Sequence, residues 1–595
     1  MWLDHLAVAG LVSLAFWILL SGLDDLFIGL VFVISRNKVA WPPDPALAQA
    51  PERRIAILVP LWNEHRVIGQ MLERNLSVLR YANYDVFVGV YPNDEPTIRA
   101  VAEAARLHPR VHLVRGSHDG PTSKGDCLNW VYRGLQDYEE RFGVRFEVVT
   151  THDAEDLIHP DSLRHINWFS RDYDMVQIPV LPLPAGIGEI THGLYCDEFA
   201  EFQTKDIPVR QRLGGFLPSN GVGTGYRRTA LERLAARRQG RIFDPECLTE
   251  DYENGYRLHA LGCSQIFVPL HFDSGVPVAT REFFPRNLRA AIRQRSRWVA
   301  GIALQGWERH GWHGRWPLLY WFWRDRKGLV GNLLAPFTNA IFLYGLGRYL
   351  LAAKHGEAWQ LAHYLPHWLA RCYAATLGVA LVQAVLRIGC CARVYGWGFA
   401  SVVPLRMLWG NVVNSAATAG ALRQFWKARS QRRSLTWLKT DHVYPSQVNA
   451  EKARPRVGEI LVKMRFVSTD ELEEALRSLP TGRRIGEHLM YSQRITEENL
   501  YQALSSQAGI PLGLPELDEV NPLVTRVLPA AVARQWNVIP YRVAGGELHV
   551  LTPEVPSREA ALQLAAISKL DIRFRLVRPV EFEALARKYL PRPVP

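Results

Sequence analysis

Disulfide and zinc patterns are missing from this chain. Its seven cysteines include one adjacent pair, Cys390 and Cys391, but no C-x-x-C spacing. Neither a zinc ribbon nor a disulfide framework is therefore expected, and a reducing compartment suits the thiols. A basic low-complexity tail is also missing. The net charge of +12 thus points to phosphorylated substrates and an anionic bilayer face, not to nucleic acid. No Walker sequence occurs, which excludes a P-loop ATPase. The first apolar run lacks a small-residue cleavage site, so it reads as an anchor and not as a removed signal peptide.

What the chain has instead is apolar residues in uneven blocks. Hydrophobic residues make up 48% of the 595 residues and tryptophan occurs 19 times, yet mean hydropathy is −0.08. Membrane segments mixed with polar domains give that combination, and the length suits roughly three or four domains. Residues 1–40 read as an N-terminal anchor. The preferred span is 6–23, ending where Asp24 and Asp25 interrupt the run and continuing as an interfacial helix; a hairpin is the alternative. Asp4 precedes the run and Arg36 and Lys38 follow it, which puts the next domain in the cytoplasm. Apolar runs return near 328–353 and 367–388 within a second membrane block, 316–447. The stretch 397–422 carries Arg406, Asn411 and Asn414 and suits an interfacial helix better than a span.

Residues 41–315 are soluble in composition. Short apolar runs at 54–60, 84–92, 111–114 and 146–151 read as strands, and 65–80, 96–107 and 123–140 read as helices. That alternation predicts a mostly parallel sheet with helices on both faces. The strand at 146–151 ends in Thr151-His-Asp-Ala-Glu-Asp156, three acids within four residues. Asp153 and Glu155 are two apart, so on extended backbone their carboxylates point the same way. Converging carboxylates are costly unless a cation neutralises them, and hard oxygen ligands suit Mg²⁺ or Mn²⁺ on a phosphate. A solvated turn is the bland alternative for these acids taken alone.

Three other motifs follow the same order along the chain. Asn93-Asp94 closes an earlier strand, Thr249-Glu250-Asp251 opens a helix, and Gln294-Arg-Ser-Arg297-Trp298 lies beyond it. With Asp153-Ala-Glu155 they make a pattern that resembles the family 2 glycosyltransferases, inverting enzymes of the GT-A fold. It is most similar to the processive membrane synthases of cellulose, hyaluronan and poly-N-acetylglucosamine. Glu155 departs from the usual aspartate.

The resemblance implies roles. Asn63, Glu64 and Asp94 would hold the nucleoside, and Lys124 in Ser-Lys-Gly-Asp-Cys-Leu-Asn-Trp would contact the nucleotide. Asp153 and Glu155 would hold the cation. Asp251, beside Glu250, would be the general base. Gln294, Arg295 and Arg297 would serve the diphosphate, and Trp298 would stack on an acceptor sugar. Gly214–Gly221 would line the acceptor site, with a plain loop as the bland reading; His152 and Asp156 read as supporting residues.

The last block, 448–595, contains a repeat. Residues 456–479 align without gaps to 484–507, with Ser468 and Thr496 as N-caps of a second helix in each copy. Each copy opens Arg-x-Gly-Glu. Glycine beside arginine would let a guanidinium approach a ligand closely. Strands are expected at 548–554 and 572–577 and helices at 558–568 and 580–589. The block resembles the N-terminal domain of type II secretion and type IV pilus ATPases, in the version that binds cyclic di-GMP through two tandem motifs. Arg456, Gly458, Arg484, Gly486 and Gln507 match those motifs. Leu479 stands where the first motif's final glutamine belongs, and Arg465 and Gln493 replace the mid-motif glycines.

The expected fold is therefore an α/β GT-A glycosyltransferase domain, transmembrane helices and a C-terminal α+β nucleotide-sensing domain. The expected activity is polymerisation of a UDP-sugar, an N-acetylhexosamine, into an exopolysaccharide at the bacterial inner membrane. A growing glycan is the acceptor, an outer-membrane protein the export partner, and cyclic di-GMP the activator. The alternatives are a non-processive transferase onto a lipid carrier and an inactive scaffold for secretion or adhesion.

Overall fold

The structure is a computed structural model that describes residues 2–35, 44–273, 276–357, 367–431, 457–464, 466–480, 483–508, 510–515, 520–544 and 547–590. It forms two compact units, Met1–Tyr444 and Pro445–Pro595.

The first unit is built on a seven-stranded sheet. β1 (Ile55–Pro60), β2 (Tyr84–Val90), β3 (Val111–Arg115) and β4 (Val148–Thr151) fall on the apolar runs read from sequence. β5 (Met175–Gln177), β6 (Thr224–Arg227) and β7 (Gln265–Phe267) are too short to show a pattern of their own. The order is β3-β2-β1-β4-β6-β5-β7, and β6 alone runs against its neighbours. In β1, Ile55, Ile57 and Val59 enter one core while Ala56 and Leu58 enter the other. Burial on both faces is why the strand reads as an unbroken apolar run and not as an alternation. α2 (Ile68–Val78), α3 (Glu95–Leu107) and α4 (Lys124–Phe142) connect the parallel strands. Ser123 caps α4 by accepting the Asp126 N–H at 3.2 Å, and Gly143 ends it at φ +63°. α5 (Ile190–Glu201) runs into a π-helical turn, Phe202–Asp206. α6 (Glu250–Ala260) follows, then α7 (Leu288–Trp298), which runs into a second π-helical stretch, Val299–Gln305.

Among the described residues, three helices contain stretches long and apolar enough to cross a bilayer: α1 (Trp2–Ile34), α8 (Trp316–His355) and α9 (His367–Tyr395). α1 runs unbroken through Asp24, as a helix continuing beyond residue 23 requires, and the alternative hairpin is not formed. The apolar window is Trp17–Ile34, with a mean hydropathy of 2.1, and it includes both acids. Their charges are compensated across the bundle. Lys327 of α8 donates to Asp24 at 2.8 Å and to Asp25 at 2.7 Å, Tyr320 donates to Asp24 at 2.7 Å, and Arg324 also pairs with Asp24. The run expected at 328–353 is the inner part of the longer α8. Arg36 and Lys38 lie outside the described residues, as does most of the expected loop from His355 to His367.

α10 (Val403–Ser430) buries Val403, Val413, Ala417 and Ala421 and packs along α5, α7 and α8. Of the polar residues that count against a span, Asn411 donates to Asn339 of α8 at 2.9 Å, and the other two have partners in the transferase domain. Arg406 is fully buried and bonds Asp197 of α5 at 2.6 Å, and Asn414 donates to Glu198 at 3.2 Å.

In the second unit the repeat is a pair of helical hairpins. α11 (Val457–Lys463) and α12 (Thr469–Arg477) form one, and α13 (Ile485–Tyr491) and α14 (Glu497–Ala508) the other. The Glu471 N–H bonds Ser468 Oγ at 3.2 Å, and the Asn499 N–H bonds Thr496 Oγ1 at 3.1 Å, so both expected caps are made. A three-stranded sheet follows. β8 (Ile539–Ala544) pairs antiparallel with β9 (Glu547–Thr552), and β9 pairs parallel with β10 (Asp571–Leu576) across helix α15 (Arg558–Ser568); α16 (Pro579–Tyr589) closes the unit. β8 is the strand absent from the sequence reading.

Candidate active site

Four segments meet at the carboxyl edge of the sheet, the usual ligand edge of an open α/β fold. They are the turns after β1 and β4, the first turn of α4, and the first turn of α6. A cleft there is lined by Pro60, Trp62, Glu64, Tyr91, Lys124, Cys127, Asp153 and Glu155.

Lys124 is the hinge of the site. Its ammonium bonds both oxygens of Asp153, at 2.6 and 2.7 Å. Burial opposes its charge, but Asp153, Glu250 and Asp251 outweigh that and raise its pKa above the usual lysine value. Gly125 lets the start of α4 come close to α6, since a Cβ there would lie 3.0 Å from the Asp244 carbonyl and 3.4 Å from Glu250 Cβ. Gly221, at φ +79°, does the same on the other side. A Cβ on Gly221 would lie 2.8 Å from Asp251 Oδ2 and 3.4 Å from Lys124 Nζ. The loop Gly214–Gly221 therefore reaches the site at its last residue, while Phe216 and Leu217 are buried in the packing beneath.

The two acids of α6 are electrostatically loaded. Burial pushes Glu250 up to about 7, and the neighbouring Asp251 adds to that push. Burial also raises Asp251, against the opposing charges of Lys124 and Arg297. The Tyr252 N–H donates to Asp251 Oδ1 at 2.8 Å and fixes the carboxylate at the helix start.

The turn that carries Asp153 and Glu155 is braced from below. Asp156 Oδ2 accepts the Asp153 N–H at 3.0 Å and lies 2.7 Å from His152 Nδ1. Both side chains are fully buried, and burial takes the imidazole pKa down to about 3. His152 and Asp156 thus support the turn, as read from sequence. Asp153 and Glu155 line the same cleft wall, and two carboxylates plus diphosphate oxygens are a donor set that fits Mg²⁺ or Mn²⁺. Among the described residues no group of three metal-ligating side chains occurs.

Two expected contacts are placed elsewhere. Asp94 is buried under the loop after β1, where it accepts the Asn63 N–H at 2.6 Å and the Thr97 N–H at 3.4 Å as the N-cap of α3. Both carboxylate oxygens hold backbone, so Asp94 shapes the loop, and it is not among the residues that line the cleft. Asn63 is exposed at the loop tip with φ +54°. Arg295 is buried between helices and does not line the cleft. It donates to Glu198 and Asn414, each at 2.7 Å, and its guanidinium lies 4.2 Å from the Tyr195 ring. It joins α7 to α5 and α10.

The other members of that motif stand as follows. Arg297 donates to the Leu248 carbonyl at 3.1 Å and faces the acids of α6. Trp298 is half-buried beside Tyr195, Phe199 and Phe284, with ring centroids 6.1 to 6.4 Å away. Gln294 is half-buried on the same helix.

Residues 51–301 match the family model described as glycosyltransferase like family 2, and residues 508–594 match the MshEN domain. Over 578 residues the chain is 35% identical to bacteriophage adsorption protein B of Escherichia coli strain K12, which covers 92% of this chain and 77% of that protein. The chain belongs to this adsorption-protein family. Residues 51–301 of this chain are a family 2 glycosyltransferase domain, so the cleft described above is that of a glycosyltransferase with a mixed-sheet GT-A-like fold, in a chain that also carries an MshEN tail. A mannosyltransferase from Pyrobaculum calidifontis, in complex with GDP-Man and Mn²⁺, is 19% identical; the match covers 69% of this chain and 99% of that one at a TM-score of 0.40. The structure of MshE with cdg is 24% identical and covers 23% of this chain and 99% of that one at a TM-score of 0.22.

In the tail, Gly458 and Gly486 of the two motifs are buried between helices. A Cβ on Gly458 would lie 2.7 Å from Leu472, and one on Gly486 would lie 2.4 Å from Leu500. Each thus admits a leucine from the partner helix of its hairpin. Arg484 is exposed at the start of α13, Gln507 lies near the end of α14, and Arg456 lies outside the described residues. Leu461, Leu489 and Leu500 are core, whereas Leu476 is 52% exposed. Sequence reasoning passed over Trp62, Tyr91 and Cys127 in the cleft. The first two directly follow β1 and β2, and that position was the available signal.

Proposed function

We propose that this protein is an inner-membrane, inverting glycosyltransferase that polymerises a UDP-sugar, an N-acetylhexosamine, into an exopolysaccharide under the control of cyclic di-GMP. The observation that carries this reading is the convergence of Lys124, Asp153, Glu250 and Asp251 around Gly221 at the carboxyl edge of the sheet. The kinship with a phage adsorption protein supports a surface glycan that serves in phage reception, reached through an outer-membrane export partner.

Asp153 and Glu155 would hold Mg²⁺ or Mn²⁺, which supplies positive charge to the leaving diphosphate. Glu64, Trp62 and Tyr91 bound the nucleoside end of the cleft. Lys124 is cationic and sits between the cation site and Asp251, so it steadies the diphosphate as its charge grows. Asp251 takes the proton from the acceptor hydroxyl while that oxygen bonds the anomeric carbon and the bond to the diphosphate breaks. One in-line displacement inverts the centre. Burial makes Asp251 a stronger base than a surface aspartate, which suits a proton held by a sugar hydroxyl. Trp298 would offer a flat face to the glycan where the chain leaves toward α10.

Asp251→Asn is expected to abolish UDP release while leaving UDP binding intact. Turnover by that variant at the wild-type rate would remove the base assignment.

A further inference from the structure

The peptide leading into Thr249-Glu250-Asp251 is gripped by one stretch of chain from outside the cleft. The Leu248 N–H donates to Gln305 Oε1 at 3.0 Å, and Gln305 Nε2 donates to the Glu246 carbonyl at 2.8 Å. The Leu248 carbonyl accepts from Arg297 at 3.1 Å. Both polar groups of that peptide are thus held by side chains eight residues apart. Gln305 is buried, and its amide spends both ends on this loop.

Gln305 reaches the loop because of the helix it stands on. It is the last residue of the π-helical stretch Val299–Gln305 that continues α7. A π turn takes in more chain per turn than an α turn, so it rotates every later side chain about the axis. A straight α-helical continuation would aim residue 305 at another face. The same stretch brings Gly301 against the loop, where a Cβ would lie 2.5 Å from Thr249 Oγ1. Two contacts from one irregular turn therefore converge on the two residues before Glu250.

We propose that Gln305, presented by this π-helical stretch, is a positioning residue for Asp251. It fixes the loop 246–249 so that the first turn of α6 starts at one place and the carboxylate faces Lys124. The inference rests on the reading of Asp251 as the base. It adds that the motif ending at Trp298 acts on catalysis partly through the chain that follows it.

The test uses the full chain in lipid discs and three readouts: hydrogen exchange of amides 246–250, UDP binding with Mn²⁺, and the kinetics of UDP release from the donor that wild type turns over. Gln305→Met keeps the volume and removes both hydrogen bonds. It is expected to speed exchange at Leu248 and to lower kcat by about 100-fold, the size of loss that a small misplacement causes, with KM and UDP affinity unchanged. Gly301→Ala presses on Thr249 from the other side and should give the same split; it carries the test if Gln305→Met does not fold. Wild-type exchange and kcat in a folded variant would overturn the proposal, and so would a kcat loss matched by an equal loss of UDP affinity. Asp251→Asn is run in parallel. Retained turnover there defeats the base reading, whereas the exchange data still decide whether Gln305 holds the loop.

Discussion

At the scale of single residues, the site is a balance among Lys124 and the acids Asp153, Glu250 and Asp251. A general base works only when deprotonated. Burial raises Asp251 above the ordinary carboxylate range around 4. Glu250 beside it is pushed up to about 7, with the charge of Asp251 among the causes, so on acidification Glu250 takes the first proton while Asp251 stays ionised. Turnover should therefore persist through that first protonation and fall at lower pH, still above about 4, as Asp251 itself is protonated. Glu250→Gln fixes the neutral neighbour that Glu250 has already become there, so it should leave the acid limb in place. A kcat profile for both proteins checks this. A wild-type limb near pH ~4, or a limb that Glu250→Gln moves, would contradict the assignment. The same residue scale shows why motif matching went only part of the way. Asp94 and Arg295 sit where the family pattern puts them, yet the Asp94 carboxylate holds the Asn63 and Thr97 N–H groups and Arg295 Nη1 is spent on Glu198 and Asn414. A motif gives a residue's place in the chain. It does not give the direction of its side chain.

At the scale of elements, what was legible follows from length and burial. β1, β2 and β4 are buried on both faces, so their apolar runs stand out, and α3 and α4 show their starts through the capping residues Asp94 and Ser123. β5 and β7 have three residues each and β6 has four, too few for any period to declare itself. The compensation of Asp24 was not legible for a different reason. The charges that neutralise it are on α8, some 300 residues away in the chain, and no local window contains them. The tail hairpins were legible as a repeat, but the role of their glycines was not, because the leucine that fills the space lies 14 residues further on. Gly486→Ala should overpack that contact and destabilise the tail by about 1–3 kcal/mol. Gly458→Ala should cost less, since its nearest leucine atom is 2.7 Å from the added Cβ and not 2.4 Å. Thermal melting of the two variants checks the order; an unchanged or raised melting temperature for Gly486→Ala would show that the leucine has room to move.

At the scale of the whole molecule, a glycosyltransferase domain and an MshEN tail share one chain with three helices apolar enough to cross a bilayer. Three spans in all, one before the catalytic domain and two after it, would leave both soluble units on one side of the bilayer, where cyclic di-GMP and UDP-sugars are found. Arg484 is the exposed arginine of the second tail motif, which keeps its closing Gln507. Arg484→Ala should abolish activation by cyclic di-GMP and leave basal UDP binding as it is; an undiminished response would remove the tail from the switch. The central claim, a nucleotide-gated sugar polymerase, is tested most directly by UDP release from the purified protein in lipid discs across a panel of UDP-sugars, with and without cyclic di-GMP. The account predicts release with an N-acetylhexosamine donor and only when the dinucleotide is present. Equal release with and without it, or none with any donor while UDP still binds, would contradict the account.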